Sequence, residues 1–474
     1  MQRSLNLPGA VALNMLDMIG VGPFITLPLI LGAMGGPQAM LGWVLGAGLA
    51  LCDGLVWAEL GAMMPEAGGS YAFLRKIYSG ADGRGKAGRF LAFLFIFQLT
   101  FSAPLSVASG CIGLSQYAAY IFPWLGGHSA ARVLHAGPYS AGIAAGPGTL
   151  VAIAAVLVAV VLLYRGLAGV RVLTGAMWCA VMGLVAWILA TGATHGHLRL
   201  AFTFPAGAFH LTPAFFNGLG GAMLIATYDY WGYYNITFLG GEVKDPARTV
   251  PRAILISIGL VAAIYLLMNI SVLAVLPWQG LVGPATTSSL DARRAVISLF
   301  METAYGPRLG PALGKFAALL VMVTAFASVF SLLLGYSRIP YAAAREGNYF
   351  SVFGRLHKGG FPHVALLALG GLAAVFCFFS LADVIAALVV LRILVQFLMQ
   401  HVGVIYLRRM QPEIQRPFRM WLYPLPPLAA ICGFVYILVE RVNFQREILG
   451  AGVVILVGTV VYSLRAKLAR QEFR

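Results

Sequence analysis

The chain has 474 residues, 60% of them hydrophobic and only 10% charged, with a formal net charge of +16. Soluble globular proteins carry about 25% charged residues, so this composition excludes a water-soluble fold and indicates an all-α polytopic membrane protein. The positive charge does not mark a nucleic-acid surface, because the basic residues lie between apolar stretches and not in one patch.

A spanning helix needs about 20 mostly apolar residues. Twelve such stretches follow one another: 9–34, 37–63, 90–121, 149–165, 170–192, 214–240, 252–276, 313–337, 364–380, 384–407, 421–439 and 447–464. Turn signals separate them, among them Gly35-Gly36-Pro37, Pro65-Glu66-Ala67-Gly68-Gly69, Pro412 and Pro417. The first stretch is too long for a cleavable signal peptide and reads as an uncleaved first span. The segment 277–312, with Ser288, Ser289, Asp291, Arg293 and Arg294, reads as a polar outer loop carrying short helices. Basic residues concentrate in alternate loops, for example Arg75, Lys76, Arg84, Lys86 and Arg89, then Lys244, Arg248 and Arg252, then Arg408, Arg409, Arg416 and Arg419. The excess is roughly threefold and places both termini in the cytoplasm of a cell membrane. An even number of spans is then required, and twelve satisfies it.

Two of these stretches are interrupted at matching places. The first contains Asp17-Met18-Ile19-Gly20-Val21-Gly22-Pro23-Phe24, and the sixth contains Tyr228-Asp229-Tyr230-Trp231-Gly232-Tyr233-Tyr234-Asn235. Glycine weakens a helix, and Pro23 removes a donor and clashes with the preceding turn. Non-helical backbone at membrane depth is tolerated only where it is buried in protein or lines a cavity, and paired broken helices point to a transport site. The freed N–H groups of Val21, Gly22 and Phe24 are expected to suit a carboxylate, and freed carbonyls near Met18 an ammonium. Around Gly232 the aromatic rings of Tyr228, Tyr230, Trp231, Tyr233 and Tyr234 are candidates for stacking or cation–π contacts. Five spans begin at each break, which implies inverted repeats. The chain reads as a single membrane domain, 1–474, with repeats at about 9–192 and 214–407 and two extra helices at about 421–464.

Intramembrane carboxylates are costly and are functional candidates by default. Asp17 and Asp229 each precede a break glycine by three residues, so each is expected to touch a ligand ammonium, to exchange a proton, or to pin the unwound segment. Asp53, Glu59 and Asp383 fit structural or interfacial roles better. Arg392, Gln396 and Gln400 form a polar face on the tenth stretch, with Arg392 either pairing an inner acid or facing the cavity. Thr324, Ser328 and Ser331 share a face of the eighth, where hydroxyls ligate sodium or bond a neighbouring helix. Cys52, Cys111, Cys179, Cys377 and Cys432 lack metal or disulfide spacing. No P-loop, metal cluster or nucleophile–base set is present, so neither an enzyme nor a resident cofactor or metal is expected.

Several segments resemble the amino acid–polyamine–organocation permeases. Met18-Ile19-Gly20-Val21-Gly22-Pro23-Phe24 is similar to the family's helix 1 glycine motif. The run from Gly241-Glu242-Val243-Lys244-Asp245-Pro246 to Pro251-Arg252-Ala253 is similar to the loop after helix 6. Ala58-Glu59-Leu60 with Pro65 to Tyr71 resembles the end of helix 2, and Ser337-Arg338 through Gly347 the end of helix 8. The resemblance implies a LeuT-like five-plus-five inverted repeat, alternating access, and an amino acid held between the breaks. Its carboxylate would lie on helix 1 N–H groups and its amine on carbonyls of helices 1 and 6. The chain departs from relatives with an acid at the position of Tyr234, and from proton-coupled relatives with a lysine in helix 5.

The expected activity is therefore secondary active transport of an amino acid, with a cationic one among the candidates. Polyamine or other amine transport and amino acid exchange are alternatives. A non-transporting amino acid sensor is a distant one, against which the short cytoplasmic ends argue. Asp17, Met18, Gly20, Val21, Gly22, Phe24, Tyr228, Asp229, Tyr230, Trp231, Gly232 and Tyr233 are the expected substrate contacts. Asp17, Asp229, Thr324 and Ser328 are the candidates for coupling to a proton or sodium ion.

Overall fold

In the computed structural model the described residues are 5–471, except 67, 81–84, 128–129, 137–138, 166–169, 283–294, 358 and 441–443. Ser288, Ser289, Asp291, Arg293 and Arg294 therefore fall outside the description. Helices lie in each of the twelve apolar stretches. The first stretch holds α1 (Leu7–Met18), α2 (Gly22–Ile25) and α3 (Leu27–Met34), followed by α4 (Met40–Met63), the short α5 (Ser70–Ile77) and α6 (Lys86–Ile121). Next come α7 (Pro147–Tyr164), α8 (Val170–His195), α9 (Leu198–Ala201), α10 (Pro213–Tyr230) and α11 (Asn235–Phe238). The chain continues through α12 (Pro246–Val275), α13 (Trp278–Val282), α14 (Val296–Tyr336), α15 (Arg338–Arg345) and α16 (His363–Phe376). It ends with α17 (Leu381–Arg392), α18 (Leu398–Met410), α19 (Leu425–Val439) and α20 (Phe444–Gln471).

Among the described residues, nine helical segments are long and apolar enough to cross a membrane. Helices α16 and α19 are shorter apolar helices, and the sixth stretch is divided by its break. One short antiparallel hairpin adds to the helical architecture: β1 (Ala130–Ala136) pairs with β2 (Tyr139–Ala145) between α6 and α7. Within the expected outer loop 277–312, the described residues on either side of 283–294 are largely helical. Helix α14 begins at Val296, bends at Gly306 (φ 71°), and buries Phe300 and Met301 against the protein.

Packing divides the helices into two kinds. Outer helices keep apolar side chains exposed, as at Leu150, Leu157 and Val158 on α7 and Val453 and Leu456 on α20, which suits a lipid-facing surface. Inner helices approach one another through small residues, the usual device where lipid supplies no hydrophobic drive between helices. On α4, Gly42 and Gly46 face Ala222 and Ala226 of α10, and Gly54 faces Ile258 of α12. A Cβ on Gly42 would lie 2.7 Å from that of Ala222, so the two helices touch almost backbone to backbone.

Of the acids expected to be structural, Asp53 and Glu59 are paired, and the side chain of Asp383 lies outside the description. Asp53 accepts from the Tyr233 hydroxyl and lies 3.2 Å from Nε2 of His401. Glu59 accepts from Nε of Arg408 at 2.9 Å, from its Nη2, and from the Met420 N–H at 2.8 Å, with Arg416 at 3.6 Å. At the end predicted to be cytoplasmic, Leu5 pairs with Val243 as a parallel bridge, which ties the chain before α1 to the loop after α11. Glu242 of that loop holds Arg338 at 3.0 Å, at the start of α15.

Glu59→Gln removes the charge that gathers α4, α18 and the Met420 loop. It is expected to cost about 2 kcal/mol and to lower the thermal unfolding midpoint of the detergent-solubilised protein. An unchanged midpoint would contradict this role.

Candidate functional site

Both breaks are present, and they touch. Helix α1 stops at Met18, residues 19–21 belong to no helix, with Ile19 clearly off helical geometry, and the chain resumes at Gly22 with Pro23 where a helix start needs no N–H donor. Helix α10 stops at Tyr230, Trp231 is extended, and Gly232 takes φ 128°, a value that L side chains rarely adopt. A Cβ on Gly232 would lie 2.8 Å from the Met18 nitrogen and 2.9 Å from the Asp17 carbonyl carbon. The reciprocal contact also exists: a Cβ on Gly22 would lie 2.0 Å from Oδ1 of Asp229. Each break thus presents a glycine to the other break's aspartate.

Much of the freed backbone is satisfied by side chains from neighbouring elements. The Tyr265 hydroxyl of α12 lies 2.5 Å from the Met18 carbonyl and 3.1 Å from the Asp229 carbonyl, bridging the two breaks. Asn14 accepts from the Ile236 N–H at 3.1 Å, and the Tyr117 hydroxyl donates to the Phe24 carbonyl at 2.6 Å. Two expectations about the first break are corrected here. The Phe24 N–H is not free but donates to the Val21 carbonyl at 3.1 Å. The Met18 carbonyl is not free either, since it accepts from Gly20 N–H and Tyr265.

A cavity of about 50 Å³ lies between the breaks. From the first break Asp17, Met18, Gly20, Val21 and Gly22 line it, and from the second Tyr228, Asp229, Trp231, Gly232 and Tyr234. Phe24, Tyr230 and Tyr233 are fully buried and form no part of the wall. Tyr230 donates to the Trp43 carbonyl at 3.2 Å and Tyr233 to Asp53, so both serve packing between helices. Ser328 lines the cavity with its hydroxyl 3.5 Å from the Asp17 carbonyl, whereas the Thr324 hydroxyl donates to the Leu320 carbonyl at 2.9 Å.

Three further elements complete the wall: α6 with Ser106, Ser109 and Gly110, α14 with Leu332 and Tyr336, and α17 with Leu388. These positions were not singled out in the sequence. The available signal on α6 was a pair of serines three residues apart, just after Pro104, in an otherwise apolar helix. Arg392, at the end of α17, stands behind Ser106, Tyr234 and Tyr336 and bonds to all three hydroxyls. A π-helical turn, Ile393–Phe397, follows it, an irregularity common at functional sites.

The site's electrostatics follow from these contacts. Oδ2 of Asp229 accepts from the Thr26 hydroxyl at 2.5 Å. Oδ1 of Asp229 and Oδ1 of Asp17 are buried without a hydrogen-bond partner among the described residues. Buried carboxyl oxygens without donors are costly, so the cavity offers acceptors that a donor-rich ligand relieves.

Fold and site together define a helical membrane protein with a small cavity, lined by acids, hydroxyls and aromatic rings, between two broken helices, the form of a small-molecule transporter. The sequence matches the amino acid permease family over residues 5–458, and the chain belongs to that family. It is 25% identical to the human Asc-type amino acid transporter 1 over 98% of this chain and 82% of the relative. It is 24% identical to the serine/threonine exchanger SteT of Bacillus subtilis, covering 97% of this chain and 95% of the relative. The branched-chain amino acid permease BcaP of the same organism is also 24% identical, over 95% and 92%.

Gly22→Leu would drive the Asp229 carboxyl from its place. The variant is expected to reach the membrane in normal amount and to lose amino acid uptake. Uptake at the wild-type rate would show that the contact is dispensable.

Proposed function

We propose that the chain is a secondary active permease that carries an α-amino acid across a cell membrane by alternating access. In this reading all twelve helical stretches span the bilayer, both termini are cytoplasmic, and stretches one to five and six to ten form an inverted repeat. The observation that carries the reading is the reciprocal contact of Gly22 with Asp229 and of Gly232 with Asp17. Two breaks at equivalent places in two repeats would meet in this crossed manner around a shared site.

The chemistry supports a cycle. Two carboxyl oxygens at the cavity lack donors among the described residues, and closing the site over them carries a cost that a donor-bearing ligand offsets. A ligand ammonium supplies three donors and pairs Asp17, with Asp229 nearby, which favours the closed state when the site is loaded. Ligand binding then shifts the population toward closure through its differential affinity. Asp17 and Ser328 lie together at the cavity and are the proposed place for a coupling proton or sodium ion; exchange of one amino acid for another needs no such ion.

The small cavity and a relative described as a serine/threonine exchanger favour a small amino acid. A cationic amino acid would suit Asp17 and Asp229, but the Arg392 guanidinium behind the wall counts against a second positive charge. An organic amine without a carboxylate has one specific point in its favour: Asp229 covers Gly22, where the family resemblance would set a ligand carboxylate. The sensor reading predicts ligand binding without net movement or exchange.

Uptake into proteoliposomes, with a panel of amino acids and amines under separate proton and sodium gradients or with internal amino acid, tests the proposal. At least one α-amino acid is expected to enter, and Asp17→Asn is expected to slow its entry by about 30-fold or more. Failure of the whole panel, with the protein correctly inserted, would overturn the reading.

A further inference from the structure

Arg392 is 3% exposed at the end of a membrane helix. A guanidinium at such depth is costly, and intramembrane arginines pair with an acid or face a cavity. Among the described residues it has no carboxylate within ion-pair distance. Its hydrogen-bond contacts are neutral hydroxyls: Nη1 donates to Tyr234 at 3.0 Å, and Nη2 donates to Ser106 at 3.0 Å and Tyr336 at 2.8 Å. Its Nε has no acceptor among the described residues. The Trp231 and Tyr336 rings lie 5.6 and 5.2 Å from its central carbon, contacts that soften the charge without cancelling it. All four of these neighbours line the cavity, and so does Leu388, one turn before Arg392.

An anion entering the cavity has two places to go. At the first break it would meet the Asp229 carboxyl, which lies against Gly22. At the other it would meet the hydroxyls of Ser106, Tyr234 and Tyr336, and directly behind them the guanidinium that donates to all three. Asp17, on the cavity wall and within electrostatic reach of Arg392, is not bonded to it and keeps its own unpartnered oxygen. A carboxyl acceptor and a guanidinium donor near each other but unjoined suit a ligand that carries both an ammonium and a carboxylate.

We propose that Arg392 is the carboxylate-recognising residue of this cavity. The ligand carboxylate takes Nε and one Nη in a two-pronged contact, displacing a hydroxyl, while its ammonium faces Asp17. Arginine's planar fork favours this geometry, which a lysine cannot reproduce. The inference rests on the permease reading for its ligand and revises where that ligand's anion sits. The carboxylate is either the α-carboxylate common to amino acids or the side-chain carboxylate of a dicarboxylic one.

Calorimetric binding to the purified full chain distinguishes these sources through two ligand pairs. Alanine against ethylamine reports the α-carboxylate, and glutamate against glutamine reports a side-chain carboxylate. Wild type is expected to prefer the carboxylate-bearing member of at least one pair, and Arg392→Gln to shrink that preference by about 30-fold or more. Should Arg392→Gln fail to fold, Arg392→Lys keeps the charge without the fork and is expected to shrink the same preference by about tenfold. A preference that survives in the folded variants, or none in wild type, would overturn the proposal. An Arg392-dependent preference in a protein that moves no ligand in proteoliposomes would defeat the permease reading alone.

Discussion

Gly232 rests on the Asp17–Met18 peptide, and much of the site follows from that contact. It brings two interrupted helices together at backbone distance, with no room for a side chain between them. The same geometry sets Asp229 against Gly22 and so places one acid on each side of the cavity. A larger residue at either glycine would separate the breaks and strand their freed backbone groups in a low-dielectric interior, where each unsatisfied group costs several kcal/mol by order of magnitude.

The surrounding helices supply what the breaks lack. One hydroxyl, from Tyr265, lies within bonding distance of carbonyls from both breaks, and Asn14 and Tyr117 satisfy groups further along each. Backbone needs are therefore largely met by rigid neighbours, while oxygens of Asp17 and Asp229 and the Nε of Arg392 are not. These three groups face or adjoin the cavity, where a ligand's donors and acceptors would meet them.

The helical stretches and both breaks were legible in the sequence, because hydropathy over about 20 residues and clustered glycine with proline are strong local signals. The paired roles of Asp53 and Glu59 were also legible as more structural than functional. What the sequence hid was orientation. Across the last turn of α10 and the break that follows, successive side chains diverge, so Tyr228 and Trp231 line the cavity while Tyr230 and Tyr233 turn into helix contacts. Ser106 and Ser109 gave no distinctive signal, since serine is common in membrane helices as a bond to the preceding turn. The reach of Arg392 to hydroxyls on three other elements depends on tertiary packing, which no local pattern encodes. The short helices expected in 277–312 are present on both sides of its centre, at Trp278–Val282 and from Val296.

The central claim is that the two breaks wall one site reached in turn from each side of the membrane. A single cysteine at Leu332, which lines the cavity without bonding to any ligand candidate, tests it directly in a chain whose native cysteines are replaced by alanine. Labelling by a membrane-impermeant thiol reagent would be measured in right-side-out and inside-out vesicles, with and without a transported amino acid. The account predicts labelling from both sides and protection by the amino acid in each. Labelling from one side only, or labelling indifferent to the amino acid, would contradict it.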